Sequence, residues 1–407
     1  MPHFLISILG IGLLLSIAYG LSLNRKAINY RIVGAALILQ IAIAIFVLYF
    51  SFGKSMIHSM SIGVENIIGY SNAGIDMLFG PLAHLPGGLV FAVKVLPVVI
   101  FFAALMSVLY HLKIMQWVVK LIGGGLRKLL GTGTVESLNA AANIFVGQTE
   151  APLVVKPYLG KLTEAQLFAV MVSGVASVAG TVLAAYVLMG AEMKYLLAAS
   201  FMAAPGGLLM AKIIMPDEEK ESTAPKEKLQ MEDSHHDSVI LAAAVGASDG
   251  LKLAVNIGAM LIAFVALIAM FNGVVGGIFA LFGVEGVTLQ LILGKLFQPL
   301  MYMMSVPWHE AQAAGSLFGE KLILNEFVAF SDMNHYLAGM SEHTKAVVTF
   351  TLCGFANLSS IGILLGGLGS LVPEKKALIA KFGLRAVAAG SLSNLMSAAL
   401  AGILLSI

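Results

Sequence analysis

The run Asn143-Ile144-Phe145-Val146-Gly147-Gln148-Thr149-Glu150-Ala151-Pro152-Leu153 places two amides, a hydroxyl and a carboxylate in an apolar neighbourhood. A carboxylate at the centre of a membrane helix costs about 2.5–3.5 kcal/mol, so Glu150 needs a partner or a purpose there. Gly147 and Pro152 bracket the polar residues, which suits two half-helices meeting at a polar tip better than one continuous helix. Asn325-Glu326-Phe327 repeats the theme, a small polar residue followed by glutamate. Thr149 and Asn325 can each cap the helix that follows, and Pro152 fits a first turn. Backbone groups left free at such tips are permitted at depth only where they line a cavity or are buried in protein. The tip around Glu150 therefore reads as half of a substrate site. Unwound carbonyls together with the Asn143 and Ser177 oxygens would make a hard-cation cage suited to Na+. The plainer alternatives are that Glu150 and Glu326 only pair with lysines or cap helices. Ser177, Thr181, Asn357, Ser359 and Ser360 could likewise bond back to their own turns.

Such residues need a membrane fold to hold them at depth, and the composition supplies one. Of 407 residues, 59% are hydrophobic and 11% are charged, against about 25% charged in soluble proteins. Mean hydropathy is +0.93. Long apolar runs outweigh ten-residue alternation, so the expected class is an all-α polytopic membrane protein. Forty-three glycines suit close helix packing in lipid. The one cysteine, Cys353, excludes an internal disulfide framework and reads as a small buried residue. The pair His235-His236 lacks metal-site spacing and reads as solvated. No triad spacing, metal motif or phosphate-binding glycine loop supports an enzyme that uses Glu150 and Glu326 as acid and base. A channel would want continuous polar stripes or charged rings, whereas the polar residues here gather at two tips and two helix breaks.

The threading follows the basic residues, which mark the cytoplasmic side. Span one covers about residues 4–23 and is expected to be retained, without a basic leader before it. Span two covers about 32–50, an amphipathic outer-surface helix 51–87, and span three about 88–110. Residues 111–132 form a basic amphipathic helix on the cytoplasmic face, with Lys113, Lys120, Arg127 and Lys128. A re-entrant pair over 135–160 has arms of about 12 residues, about 18 Å each, enough to reach mid-membrane but not to cross. Spans four (about 165–189) and five (about 195–215) precede a hydrophilic linker, Pro216 to Ser238, expected to be flexible. Span six lies at about 250–283 and an interfacial stretch at 287–304. A second interrupted pair runs from Pro307 to about 338 with Gly319-Glu320-Lys321 and Asn325-Glu326-Phe327. Span seven covers about 343–369 and span eight about 386–406. The expected fold is therefore eight transmembrane helices plus two re-entrant helical hairpins, with both termini outside.

The second half echoes the first. Ser173-Gly174-Val175-Ala176-Ser177 in span four resembles Cys353-Gly354-Phe355-Ala356-Asn357 in span seven. Each follows a broken hairpin, and each hairpin follows an interfacial helix. By charge the first hairpin enters from the cytoplasm and the second from outside, an inverted repeat of the kind found in secondary transporters.

At Gly147-Gln148-Thr149-Glu150-Ala151-Pro152-Leu153, Lys156-Pro157-Tyr158-Leu159, Asn325-Glu326-Phe327-Val328-Ala329 and Cys353-Gly354-Phe355-Ala356-Asn357-Leu358-Ser359-Ser360, the chain resembles the concentrative nucleoside transporter family. The motifs stand in the family's order and spacing. The resemblance covers essentially the whole chain and is weakest in the first 85 residues and the linker. It implies a compact bacterial-type member in the inner (plasma) membrane. It implies a homotrimer in which each protomer carries its own pathway, importing nucleosides such as uridine with a cation by an elevator-like movement. The implied division is scaffold 1–110, transport part 111–215, linker 216–238, scaffold 239–286 and transport part 287–407. The first tip, Gln148, Thr149 and Glu150, would meet the nucleobase with Val182 packing nearby. Glu326, Asn357 and Ser360 would read the ribose with Phe355 beside it. Na+ would be held by Asn143, Val146, Ser177 and Val178, the valines through their carbonyls. Na+ as coupling ion is the sole cofactor expected, and nucleic acid is not an expected partner. A proton-coupled carrier of nucleosides or of another polar solute is the alternative. The chemistry agrees: a carboxylate such as Glu326 accepts two ribose hydroxyls, and Gln148 can answer a base edge with both ends of its amide.

Overall fold

The computed structural model describes residues 2–84, 90–217 and 237–406, with side chains from residue 5. Every regular element among them is helical. The helices are α1 (Pro2–Gly20), α2 (Tyr30–Leu48), α3 (Ser51–Phe79), α4 (Phe91–His111), α5 (Ile114–Leu130), α6 (Thr134–Ala142), α7 (Lys156–Leu159), α8 (Glu164–Ala176), α9 (Gly180–Leu188), α10 (Met193–Ile214) and α11 (Val239–Ala280). There follow α12 (Leu289–Met303), α13 (Trp308–Ile323), α14 (Glu326–Tyr336), α15 (Glu342–Leu352), α16 (Ser359–Gly366), α17 (Leu368–Leu371) and α18 (Lys376–Leu405). The expected linker falls mostly at 218–236, outside the described residues, as does His235-His236.

Six helical stretches are long and apolar enough to cross a bilayer, and Leu5–Gly20 and Ser359–Leu371 are shorter apolar helices. The six fall into two classes. The apolar windows of α2, α4 and α11 are only 28%, 22% and 17% buried, leaving most of their side chains on the outside of the chain. Those of α8–α9, α10 and α18 are 94%, 94% and 83% buried, and they form the core. α11 lies along α4. Gly246 and Gly250 permit this, since a Cβ on Gly250 would come within 2.8 Å of the Ile100 Cα and one on Gly246 within 2.7 Å of the Ala103 carbonyl.

Helix starts obey local chemistry. Asn29 opens α2 by accepting from the Arg31 and Ile32 amides, Thr163 and Gln166 form a reciprocal box at α8, and Ser238 opens α11. Two spans begin earlier than the hydropathy suggested. α11 starts at Val239 rather than about 250, because Asp249 and Lys252 pair one turn apart (2.9 Å) on its exposed face and do not interrupt it. α18 starts at Lys376 rather than about 386, with Lys381 exposed and laid over the Phe382 ring.

A lone helix, a helix pair, a broken span and a long span occur twice in the same order, as α5 to α10 and α12 to α18. Both expected helix pairs are present, with differences. The first has a nine-residue α6, shorter than the expected arm, and it returns through a 3-10 turn (Ala151–Val155) into α7. The second breaks only at Leu324 and Asn325. Gly319, Glu320 and Lys321 lie inside α13 and are no part of the tip. Asn325 caps α14 as expected, its Oδ1 accepting from the Val328 amide at 2.9 Å. Thr149 caps nothing. Glu150 stands at the cap position of the return arm, and its side chain turns back to accept from the Gly147 amide at 2.7 Å.

Candidate functional site

Both spans that carry the Gly-x-Ala motifs are interrupted there, the first just after its motif and the second across it. α8 stops at Ala176 and α9 resumes at Gly180; α15 stops at Leu352 and α16 resumes at Ser359. The two interruptions touch, the Phe355 amide donating to the Ser177 carbonyl at 3.1 Å. The first tip lies on the first interruption. The Gly180 amide donates to the Phe145 carbonyl at 2.8 Å, and the Ser177 hydroxyl donates to the Asn143 carbonyl at 2.5 Å. Gly174 makes this fit possible, because a Cβ there would stand 3.0 Å from that of Gln148.

From Gln148 a chain of polar contacts reaches the second tip. The Gln148 amide donates to the Ser360 hydroxyl at 3.2 Å. Asn357 Oδ1 accepts from the Ser360 amide at 2.9 Å, and Asn357 Nδ2 donates to Glu326 Oε2 at 2.9 Å. The other Glu326 oxygen accepts from the Tyr186 hydroxyl at 3.1 Å. All five side chains are buried. Such a network is tolerable in a dry interior only because its members pair with one another. One lone acceptor, Gln148 Oε1, has no partner.

A second group gathers around Asn143. Its Nδ2 donates to the Asn139 carbonyl at 2.9 Å, while its Oδ1 is buried without a partner. Ser177, Val146 and Val178 are buried beside it on the same tip and interruption. An orphaned carbonyl-type oxygen at a helix break is the donor chemistry a small hard cation would take, so these residues fit Na+.

The expected residues thus divide. Gln148, Ser360, Asn357 and Glu326 are joined, and Asn143 and Ser177 are joined. Val182 is buried on α9, one turn before Tyr186, and Phe355 is half-buried at the crossing. Thr149 is half-buried and its methyl fills the space beside Gly367. Glu150 stands apart: it is exposed, and its carboxylate serves its own tip. Glu150 and Glu326 therefore share a region but not a contact.

Several participants were not legible as such. Tyr186 stacks on Phe330 (4.3 Å between centroids) with its hydroxyl on Glu326; a phenol one turn from Val182 was the available signal. Lys321 and Asn394 hold the crossing. Asn394 Nδ2 donates to the carbonyls of Ala176 (2.6 Å) and Cys353 (3.0 Å), where α8 and α15 end, and Lys321 donates to Asn394 Oδ1 (2.7 Å) and to the Thr351 carbonyl (2.8 Å). Two helix C-termini converge there, and the Asn394 and Lys321 side chains supply donors for carbonyls the helices leave over. At the foot of the first pair, Lys212 of α10 bonds Glu136 of α6 and Asp217. Cys353 is buried, its thiol 3.8 Å from the Leu196 carbonyl.

Residues 9–82 match the family described as Na+ dependent nucleoside transporter N-terminus, residues 195–402 its C-terminus, and residues 92–193 a domain described as nucleoside recognition (gate). The chain is 48% identical to the nucleoside permease NupC of Helicobacter pylori over 98% of its own length and 97% of that protein. It is 37% identical to sodium/nucleoside cotransporter 1 of Oryctolagus cuniculus, covering 99% of this chain and 63% of that one. The fold superimposes on CNTnw in an inward-facing substrate-bound state with a TM-score of 0.95 at 50% identity, over 100% of this chain and 98% of that one.

Proposed function

The chain belongs to the Na+-dependent nucleoside transporter family, and from that membership we propose that it is a Na+-coupled symporter that imports nucleosides such as uridine. The observation that carries this reading is the polar chain from Gln148 through Ser360 and Asn357 to Glu326, which joins the two tips across the interrupted spans.

Glu326 accepts the vicinal ribose hydroxyls, displacing Asn357 and Tyr186 from its two oxygens or sharing them. Each new bond is charge-assisted, so the desolvation of a neutral sugar is recovered. Ser360, Asn357 and Phe355 bound the sugar. The unpaired Gln148 Oε1 accepts from the base, with Thr149 and Glu150 at the open edge and Val182 below. Na+ takes Asn143 Oδ1, the Ser177 hydroxyl and the Val146 and Val178 carbonyls. Coupling follows from the bond between the Ser177 carbonyl and the Phe355 amide, since an ion that fixes the first interruption also fixes the second.

In this reading the well-buried helices and both pairs, 111–215 and 287–407, form the transport part. Residues 1–110 and 239–286 form a lipid-facing scaffold against which it moves as an elevator. The Gln40 amide on α2, bonded to Ser397 on α18 at 3.0 Å, is a polar contact across that boundary. The pairs are re-entrant hairpins inserted from opposite sides, giving eight spans plus two hairpins in a homotrimer of the bacterial inner membrane, with both termini outside. The test is radiolabelled uridine uptake into liposomes with and without an inward Na+ gradient. Uptake that rises with the gradient supports the reading, and uptake indifferent to sodium overturns the ion assignment in favour of a proton-coupled carrier.

A further inference from the structure

Six residues before Glu326, the second helix pair buries another carboxylate that the transport reading does not use. Glu320 of α13 has no exposed surface, and neither of its oxygens makes a close hydrogen bond. Its neighbour across the pair is Asp332 of α14. Two carboxylates that face each other between helix arms, one of them wholly buried, are a costly arrangement unless something positive lies between them.

The surroundings decide what that can be. Gln290 of α12 is the next side chain beside Glu320. Its Oε1 already accepts from Asn272 of α11 at 3.0 Å, so it turns its NH2 end toward the acids. The Ser316 hydroxyl donates to the Gln290 carbonyl at 2.9 Å. A hard cation asks for about six oxygens and is repelled by an amide N–H. A proton asks for two oxygens. There is also a route for it: Asp332 is a quarter exposed and lies 2.6 Å from Nδ1 of His335, whose ring faces solvent. Exposure thus falls from His335 to Asp332 to Glu320, in steps that a proton can follow.

Other titratable groups nearby are few. Tyr336 of α14 is the phenol beside the pair. Lys295 of α12 is exposed, Tyr186 of α9 meets α14 at Phe327 and Phe330, and Glu342 of α15 pairs with Lys345.

We propose that Glu320 and Asp332 form a proton-binding site that latches the two arms of the second helix pair together. One proton, delivered through His335, is shared between the two carboxylates. When it leaves, two like charges face each other and the arms are pushed apart. The Glu320 carbonyl accepts from the Leu324 amide at 2.8 Å and so closes the last turn of α13 immediately before the tip. Loosening that turn displaces Glu326, and nucleoside affinity falls. External alkalinity therefore weakens uptake through the substrate KM, independently of the ion that drives it.

The inference rests on the nucleoside-carrier reading for its transport assay, so a second measurement is made without substrate. Na+-driven uridine uptake into proteoliposomes is measured against external pH for the wild type, Glu320→Gln and Asp332→Asn. The expected wild-type KM rises about three- to tenfold between about pH 7 and about pH 10, with kcat little changed, and both variants show a flat profile at the low wild-type KM. In parallel, the melting temperature of the detergent-solubilised protein is expected to fall by about 5 °C over the same range in the wild type and to stay constant in Glu320→Gln. A wild type flat in both measurements overturns the proposal, as does a pH dependence that both variants keep. If uridine is not carried at all, the transport reading fails, and the melting series alone still decides the proton site.

Discussion

Glu326 owes its importance to what surrounds it rather than to its type. Its two oxygens are met by a phenol and an amide from two different spans, and in the proposed reading a ribose competes for both. Glu326→Gln removes the charge from every bond it makes, and hydrogen bonds to charged groups contribute about 1.5–3 kcal/mol. Uridine kcat/KM is expected to fall about 10- to 100-fold, read from initial uptake rates; a change of less than about twofold would remove the ribose-reading role. Tyr186→Phe deletes one neutral donor and leaves the stack on Phe330 intact, so its KM is expected to rise only about two- to tenfold with unchanged expression. Asn143→Ala removes the orphaned Oδ1. The Na+ concentration for half-maximal uptake is expected to rise about tenfold or more, while uridine KM at saturating Na+ moves little. If sodium dependence is unaltered by that change, the ion lies elsewhere.

At the scale of elements, interrupted helices create the site and also its structural debt. α8 and α15 end at depth, so their last carbonyls must find donors inside the protein. Asn394 and Lys321 supply them. Asn394→Ala withdraws two donors and leaves Lys321 with one of the two acceptors named above, and each buried polar group left without a partner costs about 1–3 kcal/mol. A clearly lower melting temperature and lost uptake are expected, and wild-type melting would show that the crossing is held by other groups. The failure of Thr149 as a cap belongs to the same scale. With only a 3-10 turn to begin after the first tip, Glu150 reaches the Gly147 amide first, and Thr149 is left to pack on Gly367.

For the molecule as a whole, the order of elements repeats, and the transport reading requires the two copies to be inserted with opposite sense. Labelling tests that directly, because the native Cys353 is buried and therefore slow to react. Lys128→Cys on α5 and His309→Cys at the start of α13 both place a thiol on an exposed site. A membrane-impermeant maleimide applied to intact cells is expected to label His309→Cys only, and to reach Lys128→Cys once the membrane is opened. Labelling of both from one side would rule out the inverted arrangement.

Hydropathy and charge determined by themselves that this is an all-helical membrane protein. They also placed most spans, because apolar length is a local property that lipid reads one helix at a time. The polar tips and Gly-x-Ala breaks were equally legible, since glycine, proline and buried carboxylates are expensive in a spanning helix wherever it lies. Only the tertiary structure decided which polar groups meet. It joined Gln148 to Ser360, 212 residues away, left Glu150 exposed and bonded to its own tip while burying Glu326, and brought Tyr186 onto Glu326 and Lys321 and Asn394 onto the helix crossing. Those pairings depend on where two interrupted helices cross, a long-range geometry that no local pattern of residues encodes.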